Sequence, residues 1–208
     1  MWHRVEPLKV ISSAPYGGGW GVCSWVINAQ VPLSYSRHDP HVGLEDLATS
    51  LGLVGPGVGM LTAADVAGVQ YAQDSEASGA GVEVAATVGL RVPTWAAAAS
   101  SEPGAGITPG ATITPVDTIN IVAFVPQRLS DAALVNAVAT ATEAKSQALW
   151  DAGIDATGTA TDAVCICCPE EGTASPFGGP RSPWGERLAR AVHSAVGAGA
   201  RAWPRGAP

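Results

Sequence analysis

Short apolar segments separated by glycine- and proline-containing turns predict a chain of strands and helices. Leu8 to Ser13 and Trp20 to Asn28 have the composition of strands, and the glycine run at 17–19 between them favours a turn. This pattern predicts a hairpin-like start.

The next hundred residues add one helix and three strand-like segments. His41 to Leu51 carries apolar residues at three- and four-residue spacing, which is typical of a short amphipathic helix. A polar connection, Gln73 to Ala80, separates the last two strand-like segments. The three segments are Val58 to Leu61, Val66 to Tyr71 and Val82 to Val88. Their order predicts neighbouring antiparallel strands.

The second half contains the most regular pattern. Ser100 to Gly110 is rich in Gly and Pro, which predicts a surface loop, with a lid as the alternative. Asp117 to Val125 follows as a strand, and Ser130 is placed to cap a long helix over Ala132 to Trp150. Ala163 to Cys168 is short, continuous and apolar, as expected of a buried strand.

Ser182 and Pro183 form a cap and first-turn pair for a last helix. Its predicted buried stripe is Leu188, Val192, Ala195 and Val196. We therefore predict one α+β domain over residues 1–199, with a largely antiparallel sheet covered by at least three helices. Residues 200–208 are predicted to be a disordered tail.

Composition excludes some classes of partner. The 208 residues include 47% hydrophobic residues, enough for one core, and a formal net charge of -7 with 11 Lys plus Arg does not favour nucleic-acid binding. Residues 1–7 lack the apolar run of a secretory signal, and no run approaches the roughly 18 apolar residues of a spanning helix. Three of the four cysteines lie close together in the chain, a poor layout for a disulfide framework. We predict a cytoplasmic protein with no nucleic-acid or membrane partner.

The long helix carries a polar stripe at steps of four, three and four residues, formed by Asn136, Thr140, Glu143 and Gln147. An ordinary solvated face explains the stripe equally well. Its mostly neutral composition around one carboxylate favours a functional face. Lys145 is two residues from Glu143 and does not face it.

A hydroxyl-rich run, Thr157 to Asp162, leads into the buried strand. Hydroxyl and carboxylate groups next to a buried strand need hydrogen-bond partners or a functional role. Glycine in the run lets backbone N–H groups approach a ligand. The alternative is a turn that caps the strand. Asn120 inside a strand indicates a structural bridge or a substrate contact. The glycine run including Gly18 and Gly19 is a candidate ligand cradle without the lysine of a phosphate loop.

No metal or cofactor is predicted. Neighbouring residues among Cys165, Cys167 and Cys168 point to opposite faces of a strand, so core thiols are favoured over ligands. The histidines are scattered along the chain.

Six short motifs in this order resemble the adenosylcobinamide amidohydrolase family over most of the chain. They are Ser12-Ser13-Ala14-Pro15, Leu61-Thr62-Ala63-Ala64-Asp65-Val66, Ala86-Thr87-Val88-Gly89, Thr118-Ile119-Asn120, Thr140-Ala141-Thr142-Glu143-Ala144-Lys145, and Ala156-Thr157-Gly158-Thr159-Ala160-Thr161-Asp162-Ala163-Val164. The resemblance implies hydrolysis of adenosylcobinamide to adenosylcobyric acid and aminopropanol in corrinoid salvage.

Catalytic roles are argued from the chemistry of amide hydrolysis, which needs a nucleophile, an oxyanion site and a proton donor. Glu143 is the first candidate for general base and later acid, and Asp162 is the second. Asn120 and the backbone at Gly158 are candidate oxyanion donors, and Thr159 or Thr161 is a candidate for orienting water. Predicted substrate contacts are Gly18, Gly19, Thr62, Thr157 and Gly158.

The predicted substrate needs a wide apolar cleft, for which Trp20, Trp25, Trp95 and Trp184 are candidate flat surfaces. A carboxylate-activated water in an intact chain is predicted as nucleophile, with a Thr hydroxyl as the alternative. A homo-oligomer stays open. The competing functions are a corrinoid carrier that does not hydrolyse its ligand and an amidase for an unrelated small amide.

Overall fold

The computed structural model describes residues 1–35, 39–75, 79–98 and 118–204. Its strands are β1 (Trp2–Ser12), β2 (Gly19–Gln30), β3 (Gly57–Thr62), β4 (Gln70–Ser75), β5 (Gly81–Val88), β6 (Ile119–Phe124) and β7 (Ala163–Pro169). Its helices are α1 (Pro40–Ser50), α2 (Asp131–Asp151) and α3 (Pro183–Ala202), with a 3₁₀ turn at Val66–Gly68. The predicted loop Ser100 to Gly110 lies outside the described residues.

The strands form one seven-stranded sheet in the order β3-β2-β1-β7-β6-β5-β4. The prediction of a largely antiparallel sheet is wrong, because the sheet is mixed: β2 pairs with β3, and β6 with β7, in parallel. In both cases a helix connects the two strands, which returns the chain in its original direction. The predicted antiparallel hairpin of β1 and β2 is confirmed.

The region between β3 and β5 also differs from prediction. The predicted strand Val66 to Tyr71 is wrong in its first part, because Asp65 accepts a hydrogen bond from Ala67 N at 2.9 Å and starts the 3₁₀ turn, and only Gln70 and Tyr71 lie in a strand. The edge strand β4 instead occupies part of the predicted polar connection, where half-buried and exposed positions alternate. β4 is antiparallel to β5, whereas β3 lies at the opposite edge of the sheet.

The two long helices begin as predicted. Ser130 Oγ accepts a hydrogen bond from Ala133 N, and Ser182 Oγ accepts one from Gly185 N, both at 3.1 Å. The predicted stripe on α3 is buried. α3 continues to Ala202, within the segment predicted as a tail, and residues 205–208 lie outside the described ranges. Within those ranges, no helix is long and apolar enough to cross a membrane.

α2 and α3 pack on one face of the sheet, against alternating apolar residues of β5, β6 and β7. The opposite face is concave. Asn120 Nδ2 on β6 donates to Leu61 O on β3 at 2.8 Å, although β2, β1 and β7 separate these strands in the sheet. The sheet therefore curls until its β3 edge meets β6, and the curled strands enclose a cavity.

An ion-pair cluster joins α3 to the edge strand β4. Arg190 donates to Asp74 from Nε at 2.7 Å and from Nη2 at 3.0 Å, and Arg187 Nη1 lies 3.2 Å from the same carboxylate. The hydrogen bonds from Arg190 hold the pKa of Asp74 below its ordinary value.

We expect Asp74→Asn to lower the free energy of unfolding at pH 7 by less than about 1 kcal/mol, because the pair is partly solvated. A carboxyl whose pKa is lower in the folded state stabilises above its ordinary pKa of 3.8. The difference from wild type should therefore be full above that pH and disappear as the pH falls through the folded-state pKa. Urea unfolding from pH 7 to pH 2 measures it, with Asp155→Asn, at an exposed position, as control. A difference that grows at low pH would contradict this account.

Candidate active site

A polar network lies on the concave face of the sheet. Asn120 Nδ2 donates to Asn28 Oδ1 and to Leu61 O, each at 2.8 Å, and Asn28 Nδ2 donates to Thr87 Oγ1 at 2.8 Å. Because a backbone carbonyl can only accept, Leu61 O fixes which end of the Asn120 side chain is nitrogen. Both Nδ2 hydrogens of Asn120 are thus engaged, and none remains for the predicted contact to an oxyanion.

Asn120 leaves one buried atom without a partner. The residue is 2% exposed, and its Oδ1 accepts no hydrogen bond from the described residues. Two residues earlier, the buried Thr118 Oγ1 is also unpaired within the described ranges. An unsatisfied buried polar atom costs about 1–3 kcal/mol, so its presence at a cavity indicates a ligand-binding role.

The cavity beside this network has a volume of about 590 Å³. That is within the range of small-molecule sites. Its wall is mostly apolar, with Asn28, Gln73, Thr87 and Asn120 as polar groups and Glu83 as a carboxylate. Aromatic side chains in the described lining are Trp2, Tyr71 and Phe124.

The four tryptophans that were candidates for a corrin-binding cleft lie elsewhere. Trp20 and Trp95 are exposed, Trp184 packs against the main core, and Trp25 is buried. Trp25 stacks on Tyr16 with 5.7 Å between ring centroids. None of the four is in the described lining of the cavity.

A second polar cluster surrounds Asp162, just before β7. Lys145 Nζ forms an ion pair with Oδ2, and the two side chains are only 9% and 11% exposed. Oδ2 also accepts from Thr159 N at 3.1 Å, while Oδ1 accepts from Thr159 Oγ1 at 2.5 Å and from Ile119 N at 3.0 Å. Four donors saturate the carboxylate. Asp162 therefore fixes its surroundings and has no acceptor site left for a water.

The loop before Asp162 is tied to neighbouring segments. A Cβ at Gly158 would collide with both partners of the ion pair, so the pair requires glycine there. Thr157 Oγ1 accepts from Ala96 N at 2.9 Å, and Ser146 Oγ donates to Thr157 O at 3.0 Å. Thr161 is half-buried in the same loop.

Hydrogen bonds and strand pairing connect the six sequence motifs to one another. Ser13 N donates to Val164 O, and Val164 N donates to Ser13 Oγ, each at 3.0 Å. Asp162 binds Lys145 and the backbone of Ile119, and the next residue, Asn120, reaches Leu61. Thr87 is the register partner of Asn120. Contacts between described residues thus link every motif to the wall of the cavity.

A family model described as adenosylcobinamide amidohydrolase matches residues 1–207. A relative of that name from Halobacterium salinarum is 39% identical over 116 residues, which cover 55% of this chain and 48% of the relative. Another of that name, from Methanosarcina mazei, is 28% identical over 196 residues, which cover 90% and 88%. The chain belongs to the adenosylcobinamide amidohydrolase family. The aligned part spans about half the length of the Halobacterium relative.

The predicted family is confirmed, and with it the predicted enzyme class, a hydrolase. The comparisons do not assign roles to residues. The candidate site residues of this family member therefore stay predictions, and the structure shows which of them lie together.

Glu143 does not lie with Asp162. It is exposed on α2, while Lys145 is buried against Asp162. Two residues correspond to about 200° around a helix, so Glu143 and Lys145 face nearly opposite directions. Asn136 and Gln147 of the same stripe are exposed, whereas the buried Thr140 Oγ1 donates to Gly178 O at 2.8 Å.

Three predicted substrate contacts have structural surroundings. Gly18 packs on Ala14 O, and Gly19 has a φ of +93°, which favours glycine at the first residue of β2. Thr62 is buried at the end of β3, where its Oγ1 accepts from Ala64 N at 3.1 Å. None of the three is in the described lining of the cavity.

Sequence reasoning missed Asn28, Glu83 and the pairing of Lys145. Lys145 lies on the same helix face as Ala141, Ala148 and Leu149, and a lysine on a buried face needs a counterion. The sequence therefore contained a signal for this ion pair. Glu83 interrupts an apolar strand, which marks a side exposed to solvent or ligand. Nothing local distinguishes Asn28, because its partners come from β5 and β6.

All four cysteines are buried and free. Cys167 Sγ lies 3.8 Å from Cys23 Sγ and 3.7 Å from Cys165 Sγ, and hydrogen bonding to these thiols, followed by burial, raises the pKa of Cys167. A thiol with a raised pKa packs as an apolar group at neutral pH. In the described part of the chain, no three His, Cys, Asp or Glu side chains form a metal-binding group.

Proposed function

We propose that this chain hydrolyses the aminopropanol amide of adenosylcobinamide to give adenosylcobyric acid and aminopropanol, a step of corrinoid salvage, with its active site at the concave cavity. The observation that carries the proposal is that residues of three of the six motifs, Val66, Thr87 and Asn120, line one apolar cavity, while hydrogen bonds tie the other three motifs to them. A corrinoid carrier has no specific observation in its favour.

The cavity is smaller than an adenosylated corrin ring, so we place the amide-bearing side of the substrate in it. The ring then lies across the mouth, where Trp2 and the 77% exposed Tyr71 provide aromatic surfaces. This arrangement replaces the four tryptophans expected from the sequence.

Hydrolysis needs a base to activate water and an acid to protonate the departing amine. Glu83 is the carboxylate in the described lining, and it is exposed to the cavity, so we assign it both roles. Asp162, saturated by its four donors, is a positioning residue: it holds Ile119, whose neighbour Asn120 forms the cavity wall.

Incubation of the purified protein with adenosylcobinamide tests the proposal. Mass spectrometry should detect adenosylcobyric acid and aminopropanol in equal amounts. Stoichiometric binding without either product would favour a carrier, and hydrolysis of simple amides but not of adenosylcobinamide would favour an unrelated amidase.

Mass spectrometry of the protein in the same samples tests which group acts as the nucleophile. We expect one intact chain of 20.9 kDa and no covalent adduct during turnover, because water attacks directly. Thr159 N and Oγ1 are both held by Asp162, which supports a fixed, uncut loop. Two fragments meeting within residues 157–161, or an acylated Thr159, would show a threonine nucleophile. A cytoplasmic location stays a prediction, and the oligomeric state stays open.

A further inference from the structure

Asn120 lines the cavity and carries a buried hydrogen-bond acceptor that is not used. Its Nδ2 is committed to Asn28 Oδ1 and Leu61 O, so the atom left for a ligand is Oδ1. That oxygen is buried and accepts no bond from the described residues. A ligand N–H would satisfy it, whereas a ligand carboxylate would place oxygen against oxygen.

Thr87 offers a donor beside it. Thr87 Oγ1 accepts the bond from Asn28 Nδ2, which leaves its own hydrogen to be donated. No acceptor for that hydrogen is found among the described residues. Asn28 therefore orients the hydrogen-bonding groups of both neighbours. Its Oδ1 accepts a hydrogen bond from Asn120 Nδ2, and its Nδ2 donates one to Thr87 Oγ1.

The donor and the acceptor are side by side. Thr87 and Asn120 are directly paired on β5 and β6, and such pairs have Cβ atoms about 4.5–5.5 Å apart. Both residues line the cavity. A carboxamide presents the matching pair, a carbonyl oxygen for the Thr87 hydroxyl and an N–H for Asn120 Oδ1.

We propose that Thr87 and Asn120, oriented by Asn28, form a subsite that binds an uncharged carboxamide of the substrate and rejects a carboxylate. This inference rests on the proposed function. The carboxamide is a primary amide arm of the corrinoid, because a primary amide carries an N–H on the same side as its carbonyl oxygen. The secondary amide to be hydrolysed is trans and points its carbonyl oxygen and its N–H in opposite directions.

Steady-state hydrolysis of adenosylcobinamide tests the subsite. Thr87→Val keeps the shape but removes both the donor to the ligand and the acceptor of Asn28 Nδ2, so we expect kcat/KM to fall about tenfold or more. Thr87→Ser should restore most of the loss. The matched control is Thr49→Val, at an exposed position on α1, which should leave kcat/KM unchanged.

Asn28→Asp provides a variant of equal shape that acts through Thr87. The new carboxylate oxygen would accept the Thr87 hydrogen and so remove the donor from the cavity, while the bond from Asn120 is kept. We expect a loss similar to that of Thr87→Val with a cooperative thermal transition. Because this arm lies away from the reacting amide, we expect KM to rise with little change in kcat in both variants, and a fall in kcat alone would contradict this placement.

Binding of propionamide tests the subsite without turnover. The side-chain amide signals of Asn28 and Asn120 in ¹⁵N NMR spectra should shift with propionamide and not with propionate. Propionamide binding in a protein that does not hydrolyse adenosylcobinamide would refute the proposed function and keep the subsite. Unchanged kinetics in Thr87→Val and Asn28→Asp, or equal losses in Thr87→Val and Thr87→Ser, would refute the subsite and keep the function.

Discussion

Replacing Lys145 by Met is expected to lower the free energy of unfolding by about 3–5 kcal/mol, because it leaves a buried carboxylate without its counterion. Lys145 and Asp162 are both about nine-tenths buried, and Gly158 packs directly on the pair. Methionine keeps most of the volume of the lysine stem, so the loss of unfolding free energy measures the effect of removing the charge. Chemical denaturation at pH 7 measures it.

Lys9→Met is the matched control. Lys9 pairs with Asp131 at 2.5 Å, but the Asp131 side chain is 71% exposed and becomes hydrated when its partner is removed. We expect a loss of about 1 kcal/mol or less there. The double variant Lys145→Met with Asp162→Asn should recover part of the stability, since no unpaired charge remains. Equal losses at Lys145 and Lys9 would contradict a buried, saturated pair.

Most elements follow from local pattern, whereas their pairing does not. Ser130 and Ser182 begin their helices as predicted, because a cap depends on residues within one turn. The parallel pairs were missed although each strand–helix–strand order was visible in the sequence. Recognising that a helix between two strands favours a parallel connection would have predicted the mixed sheet.

The site was predictable only in part, for a related reason. Asn120 and Asp162 stand out, because an amide in a strand and a carboxylate before one need partners. The identity of those partners depends on the curl of the sheet, which brings Leu61 of β3 to Asn120 of β6. The sequence also offered Glu143 and Asp162 as first and second candidates for the general base, but Glu143 is exposed on α2, whereas Asp162 is buried against Lys145.

Glu83→Gln is expected to lower turnover of adenosylcobinamide by roughly two to four orders of magnitude, the usual effect of removing a general base. Glu83 lines the cavity on β5, four residues before Thr87 on the same face. That spacing is about 13 Å, which places the base and the Thr87 subsite at different parts of one large substrate. The glutamine has equal size, and substrate affinity should change little.

Glu143→Gln is the comparison variant for Glu83→Gln. The sequence hypothesis assigns the general base to Glu143 and expects the same loss for that variant, while the position of the cavity leads us to expect turnover within about threefold of wild type. Both positions are exposed, so the two variants should unfold at similar temperatures. A collapse of turnover in Glu143→Gln with normal turnover in Glu83→Gln would establish Glu143 as the base and move the reaction away from the concave face, to the outer side of α2.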